Sequence, residues 1–256
     1  MKSKLLSSVI LAALAIPGVA MAEETSPHTF SANVGLFSDY IFRGTSQTGA
    51  GPALQGGIDY THASGFYAGV WGSNISWLSD AGVATSASLE LDTYFGYRGS
   101  FAEDVTFDIG FLRYNYPGTY AVGAIKADTD EIYGSVGYKW VSAKYSYSLG
   151  DTFGWANASG SDYLEVNASY PIGDTGFTVG AHLGKQTFNG AAADAMALAG
   201  TPLDYTDYKL SVTKDLNGYL LGLAYTDTNA NRTAYSNPQG KYLGRSTAIL
   251  SVTHAF

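Results

Sequence analysis

The sequence predicts an all-β fold, a closed antiparallel transmembrane β-barrel of about 12 strands with short periplasmic turns and long extracellular loops. Three observations carry this prediction. Beyond residue 22, apolar and polar residues alternate at period 2 in segment after segment, which puts one row on each face of a strand. The connections between these segments alternate long and short. The last segment, Ser246–Phe256, places Phe256, Val252, Leu250 and Ala248 on one row with His254, and stops on an aromatic residue without a tail.

The first strand is read over Thr29–Arg43. Phe30, Ala32, Val34, Leu36, Tyr40 and Phe42 share one row, and Ser31, Asn33, Gly35, Asp39 and Arg43 the other, with Phe37 and Ile41 as exceptions. Loop Gly44–Gly51 leads to a second strand, Ala53–His62, and a tight turn at Ala63-Ser64-Gly65. The third strand, Phe66–Trp77, carries aromatics on both rows, so its facing stays open. After loop Leu78–Ser86 the alternation is clearest. Leu89, Leu91, Phe95 and Tyr97 oppose Glu90, Asp92, Tyr94 and Arg98, and three charges on one side of a strand need water or partners. Turn Gly99–Asp104 precedes the fifth strand, in which Val105, Phe107, Ile109 and Phe111 oppose Thr106, Asp108 and Gly110.

Loop Pro117–Thr129 follows. Ile132, Val136, Tyr138 and Trp140 then run on even numbers, and Val141, Ala143, Tyr145, Tyr147 and Leu149 on odd ones. The flip is read as a tight turn at Trp140/Val141, with a bulge in one long strand as the rival. Loop Gly150–Ser161, a strand with Leu164, Val166 and Tyr170 on its apolar row, and turn Pro171–Gly176 come next. Phe177, Val179, Ala181 and Leu183 oppose Thr178, Gly180, His182 and Gly184. Loop Phe188–Leu203 contains a candidate short helix at Ala191–Ala199. The tenth and eleventh strands, around Tyr208–Val212 and Tyr219–Tyr225, are joined by a hairpin signal at Asn217-Gly218. Long polar loop Asp227–Gly244 leads to the closing strand.

Short turns follow the even strands and long loops the odd ones. A soluble sandwich has no reason to sort its loops by parity, whereas an outer-membrane barrel with both termini in the periplasm does. Aromatics gather at the turn ends: Tyr60, Phe66, Tyr97, Phe107, Tyr138, Trp140, Tyr170, Phe177, Tyr219 and Phe256, as in an interfacial girdle.

Composition agrees. The chain has 31 Gly and 20 Tyr, only 14% charged residues and a net charge of −8, unusual for a water-soluble domain. No run after residue 22 approaches the length of a transmembrane helix. The absence of Cys excludes disulfides and thiolate metal sites, and the acidic balance argues against nucleic acid. Residues 1–22 read as a signal peptide: Lys2 and Lys4, apolar Leu5–Ile16, the Pro17-Gly18 break, and Ala20-Met21-Ala22 with cleavage after Ala22. The barrel is then residues 23–256, with no lipid-bearing Cys at its start.

The stretch Asn33–Thr48, with Gly35-Leu36-Phe37-Ser38-Asp39-Tyr40 and Arg43-Gly44-Thr45, resembles the opening of the TorF family, proteobacterial porin-like outer-membrane barrels. Pro52–Tyr60 and Ser64–Asn74 continue the resemblance over roughly the first fifty mature residues. It implies an outer-membrane barrel and no particular substrate. In such barrels a terminal Phe marks the closing strand for the assembly machinery, so Phe256 implies that machinery, outer-membrane lipid and lipopolysaccharide as partners.

No nucleophile elbow, P-loop, dinucleotide fingerprint or His-x-x-x-His pair is present, so neither an enzyme nor a cofactor is expected. Asp128, Asp130 and Glu131 lack calcium-loop spacing. His62 and His254 fall on outward rows at the interface. The inward rows collect Asp39, Arg43, Asp59, Glu90, Asp92, Arg98, Asp108, Lys139, Lys144, Glu165, His182, Asp207 and Lys209 as candidate pore-lining residues. These charges either plug a narrow lumen by pairing or line a water-filled one. The expectation is a narrow channel for small hydrophilic solutes or ions with a weak cation preference. The alternatives are a closed barrel presenting loops for binding or adhesion, and a barrel enzyme, which would require a His, a hydroxyl and an orienting acid in hydrogen-bond reach.

Overall fold

Twelve long strands close into one antiparallel barrel in the computed structural model, which describes residues 26–256. The expected signal peptide and cleavage site lie outside the described residues. In chain order the elements are β1 (His28–Phe37), a short inner hairpin of β2 (Ile41–Phe42) and β3 (Thr45–Ser46), β4 (Ala53–His62), β5 (Phe66–Asn74), α1 (Trp77–Asp80), β6 (Leu89–Ala102) and β7 (Val105–Asn115). There follow β8 (Thr129–Tyr138), β9 (Val141–Ser148), β10 (Asp162–Pro171), β11 (Phe177–Thr187), α2 (Ala191–Leu198), β12 (Tyr205–Leu216), β13 (Tyr219–Thr228) and β14 (Thr247–Ala255). From β4 to β14 each barrel strand pairs with its chain neighbours, β4 pairs back onto β1, and β14 meets β1 to close the ring.

The turns follow from local chemistry. Asn217 and Gly218 both take positive φ, 57° and 92°, as a type I′ hairpin turn requires. The parity flip is also a turn: Tyr138 pairs with Val141 across Lys139 and Trp140, with Lys139 at φ 54°. Short turns and both described termini share one end of the barrel, the turn end. The long connections share the other, the loop end.

The faces sort as the alternation requires. Phe30, Leu36, Ile58, Phe95, Ile109, Leu183, Leu210 and Leu250 point out and are exposed. Rings at the turn end touch in series: Phe30 on Tyr60 at 5.2 Å, Phe66 on Tyr97 at 5.0 Å and Trp140 on Tyr170 at 5.7 Å between centroids. His254 lies on the outward row, stacked on Tyr219 at 4.4 Å and against Phe256 at 4.7 Å. The third strand's open facing is resolved with Tyr67 and Ser73 buried inside and Phe66 and Val70 outside.

Glycine and tyrosine divide the inner face between them. Tyr67 lies over Gly96, Tyr94 over Gly69 and Tyr133 over Gly110, so closely that a Cβ on any of these glycines would overlap the phenol. A ring inside a small barrel needs an empty position on the next strand, which accounts for much of the Gly-rich, Tyr-rich composition.

Three expectations need correction. The first strand does not run to Arg43: it ends at Phe37, the chain leaves the wall past Ser38, and Tyr40 and Phe42, expected outside, turn inward. The third strand ends at Asn74, and Trp77 opens α1. Lys139 does not line the interior. It sits exposed in the β8–β9 turn, 3.6 Å from Asp104, because the chain must reverse there.

Candidate functional site: the barrel interior

At the loop end the interior is occupied by the chain's own segment between β1 and β4. Ser38 still holds the wall, its N–H donating to the Leu250 carbonyl at 2.9 Å, and the chain then folds inward. Asp39 anchors the base of the inner hairpin, accepting from the Ser46 hydroxyl at 2.6 Å and the Thr48 hydroxyl at 3.1 Å. The Ser46 N–H donates to the Leu243 carbonyl at 2.9 Å, and the Ser76 N–H to the Gln47 carbonyl at 2.8 Å, which ties the hairpin to two other loops.

The hairpin tip is a two-residue turn, with Ile41 paired to Ser46 and Phe42 to Thr45. Its central residues, Arg43 and Gly44, have φ of 44° and 76°. A non-glycine residue in this region is strained and persists only where its surroundings hold it. Arg43 is held on every side. Its guanidinium donates twice to Glu131 on β8, at 2.8 and 3.0 Å, and to the Gln186 side-chain oxygen on β11 at 2.9 Å. It lies 4.4 Å from the Tyr163 ring centroid and 4.9 Å from that of Phe42. Both members of the ion pair are buried, with side-chain exposures of 6% and 1%. Phe42 packs edge-on against Tyr114 and Phe153, each at 5.6 Å.

Beside this plug, Tyr40 donates to Glu90 at 3.2 Å. Glu90 and Asp92 are buried neighbours on the inner row of β6, and each keeps one carboxylate oxygen without a hydrogen-bond partner among the described residues. Below the plug, Tyr163 donates to Asp207 at 2.8 Å, and His182 Nε2 lies 3.0 Å from both Asp207 and the Tyr163 hydroxyl. His182 Nδ1 faces the Asn167 side-chain oxygen at 2.7 Å, and Asn167 donates to Glu165 at 2.8 Å. A histidine, a hydroxyl and an acid are therefore in reach of one another. Asp207 and the Tyr163 hydroxyl share Nε2, while Nδ1 meets the Asn167 oxygen at 2.7 Å and the Glu165 carboxylate at 3.5 Å.

Toward the turn end the interior opens. A cavity of about 340 Å3 is lined by Arg98, Lys144, Asp108, Tyr133, Asn167 and a set of Ser, Thr and Gly residues. Tyr67 donates to Asp108 at 2.6 Å, Tyr94 to Asp59 at 2.5 Å and Arg98 to Thr61 at 2.8 Å. Lys209 shares the inner row of β12 with Asp207, yet it is solvent-exposed whereas Asp207 is buried. The loop half of the interior is packed and the turn half holds this polar cavity.

Of the residues singled out from sequence, Asp59, Glu90, Asp92, Arg98, Asp108, Lys144, Glu165, His182, Asp207 and Lys209 sit on inner rows of wall strands. Asp39 and Arg43 reach the interior on the inner hairpin instead. Sequence reasoning missed Glu131, because the sixth strand was begun at Ile132. Extending the same alternation one residue back would have turned Glu131 inward. Tyr94 already stood on the inner row with Glu90 and Asp92, whereas Tyr67, Tyr114, Tyr133, Tyr163 and Gln186 were missed because an aromatic or an amide carries no facing signal of its own.

A family described as "Bacterial protein of unknown function (Gcw_chp)" matches residues 21–256. The chain belongs to this family. No curated protein matches it. Among solved structures, the Gcw_chp chain is similar to the KdgM porin, recorded in complex with disordered oligogalacturonate, with a TM-score of 0.50 and 9% identity over 89% of this chain and 98% of KdgM. It is similar to the NanC porin with a TM-score of 0.50 and 12% identity over 89% of this chain and 99% of NanC. At these identities the likeness establishes that the Gcw_chp barrel has the fold of outer-membrane porins.

Proposed function

We propose that the chain is a porin-like channel of the bacterial outer membrane, passing small hydrophilic solutes or ions by passive diffusion and preferring cations weakly. The observation that carries this reading is the inner hairpin: a strained, ion-paired plug seated above an open, polar-lined cavity constricts a lumen that is otherwise lined by polar groups. A polar interior inside an apolar outer wall is the arrangement of a membrane-spanning barrel. The signal-like start and the TorF-like opening support export to the outer membrane. The cation preference rests on the sign balance, since the interior carboxylates of Asp39, Asp59, Glu90, Asp92, Asp108, Glu131, Glu165 and Asp207 outnumber the cations of Arg43, Arg98, Lys144 and Lys209. Membrane lipid and lipopolysaccharide would cover the outer wall, and the assembly machinery would read the Phe256 strand.

The test is single-channel recording of the refolded barrel in a planar bilayer under a salt gradient. Discrete steps with a reversal potential toward the cation side are expected. A folded, heat-modifiable barrel that never conducts would sink the channel and leave the rival reading, a closed barrel that presents its loops.

A further inference from the structure

The cavity at the turn end has a feature that a cation-preferring lumen does not require. Two of its lining residues are cations, Arg98 on β6 and Lys144 on β9. Neither makes an ion pair among the described residues. Arg98 spends one hydrogen bond on the neutral Thr61 hydroxyl, and its guanidinium lies 5.1 Å from the Tyr67 ring centroid. The Lys144 ammonium lies 4.3 Å from the Tyr133 ring centroid. Between them stands one carboxylate, Asp108, which lines the same cavity and already accepts from Tyr67. Among the lining residues two are cations and one is an acid; Glu165 stands opposite Lys144 across the β9–β10 pair, outside the lining, and makes no ion pair with it. Its remaining polar lining includes the hydroxyls of Ser135, Ser142 and Thr106 and the Asn167 amide, groups that donate and accept hydrogen bonds but do not neutralise charge.

We propose that this cavity is a binding site for a small, hydroxyl-bearing monocarboxylate, held by Arg98 and Lys144 through its carboxylate and by the serine, threonine and asparagine side chains through its hydroxyls. A guanidinium suits a carboxylate because its fork of N–H donors matches two oxygens, and an ammonium adds a point charge on the same group. The volume of about 340 Å3 lies within the range of small-molecule sites. Added salt screens the attraction between the carboxylate and these two cations. The site needs only the turn-end opening, so it stands whether or not the lumen conducts.

The test uses calorimetric titration of the refolded barrel in detergent with D-gluconate, D-glucose and inorganic phosphate as probes. Saturable gluconate binding that weakens with added salt is expected, with glucose and phosphate each at least tenfold weaker. Arg98→Gln and Lys144→Gln are each expected to weaken gluconate at least tenfold, while Lys126→Gln, which removes the same charge from an exposed loop, leaves it unchanged. Heat-modifiable mobility of every variant checks folding. No saturable gluconate binding by the wild-type barrel overturns the proposal. So does equal binding by the folded Arg98→Gln/Lys144→Gln double variant, and so does phosphate binding as tightly as gluconate. None of these readouts depends on conductance, so a silent barrel that binds gluconate separates this inference from the channel.

Discussion

Arg43 and Glu131, separated by 88 residues in sequence, meet at 2.8 Å in the middle of the barrel. The pair fastens a two-residue turn from one wall to a strand on the other. Because Arg43 is held at positive φ, its docking opposes local strain, and the ion pair, Gln186 and the Tyr163 face supply what holds it.

Arg43→Ala leaves Glu131 buried without its cation. Breaking a buried pair by removing one partner costs about 3–5 kcal/mol, and here that cost falls on hairpin docking because the wall pairs elsewhere. A larger and noisier unitary conductance is expected, with the barrel still heat-modifiable. An unchanged conductance would show that the hairpin does not set the constriction. Arg43→Met/Glu131→Leu is expected to recover part of the lost thermal stability, since a packed apolar pair replaces the ionic one.

Gly44→Ala tests the same turn without touching charge. Gly44 has φ of 76°, and a Cβ there would overlap Asp207 on β12. The left-handed backbone alone costs an L residue about 1–2 kcal/mol. The expected outcome is a conductance shift in the same direction as Arg43→Ala, with faster proteolysis of the 38–52 segment. Wild-type resistance to protease would contradict the packing.

Asp92→Lys places a cation beside buried Glu90, where an unpartnered carboxylate oxygen is present to receive it. Folding is expected to persist, and the reversal potential in a salt gradient to move toward the anion side. Loss of the folded, heat-modifiable form would instead show that this acidic pair is structural.

Deleting Phe256 removes the outermost pairing of the closing seam. Its N–H donates to the Ala32 carbonyl at 2.8 Å and its carbonyl accepts from the Ala32 N–H at 3.3 Å. The β1–β14 seam registers only Asn33–Phe37 against Ser251–Ala255, whereas β1 pairs with β4 along its full length. A short seam tolerates little loss. Slower refolding in detergent and reduced assembly in cells are expected. Reduced assembly with unchanged refolding would assign the effect to the assembly machinery alone.

The period-2 alternation determined the strand count, the order of turns and loops, and the outward face of nearly every wall strand. Those properties are local: a side chain's face follows from its parity, and a turn from two or three residues such as Asn217-Gly218. It also brought most of the interior charges to the correct side of the wall. It could not decide where the first strand stops. Apart from Ile41, Ser38–Arg43 keeps the alternation of β1, with Tyr40 and Phe42 on the apolar row, and by pattern alone it belongs in the wall. Only the closed barrel brings Glu131, Gln186, Tyr163 and Asp207 together around an empty centre, and that assembled ring gives Arg43 and Phe42 more partners inside than the lipid face could offer. The plug and the polar cavity below it are decided by contacts between residues far apart in sequence, which no local periodicity encodes.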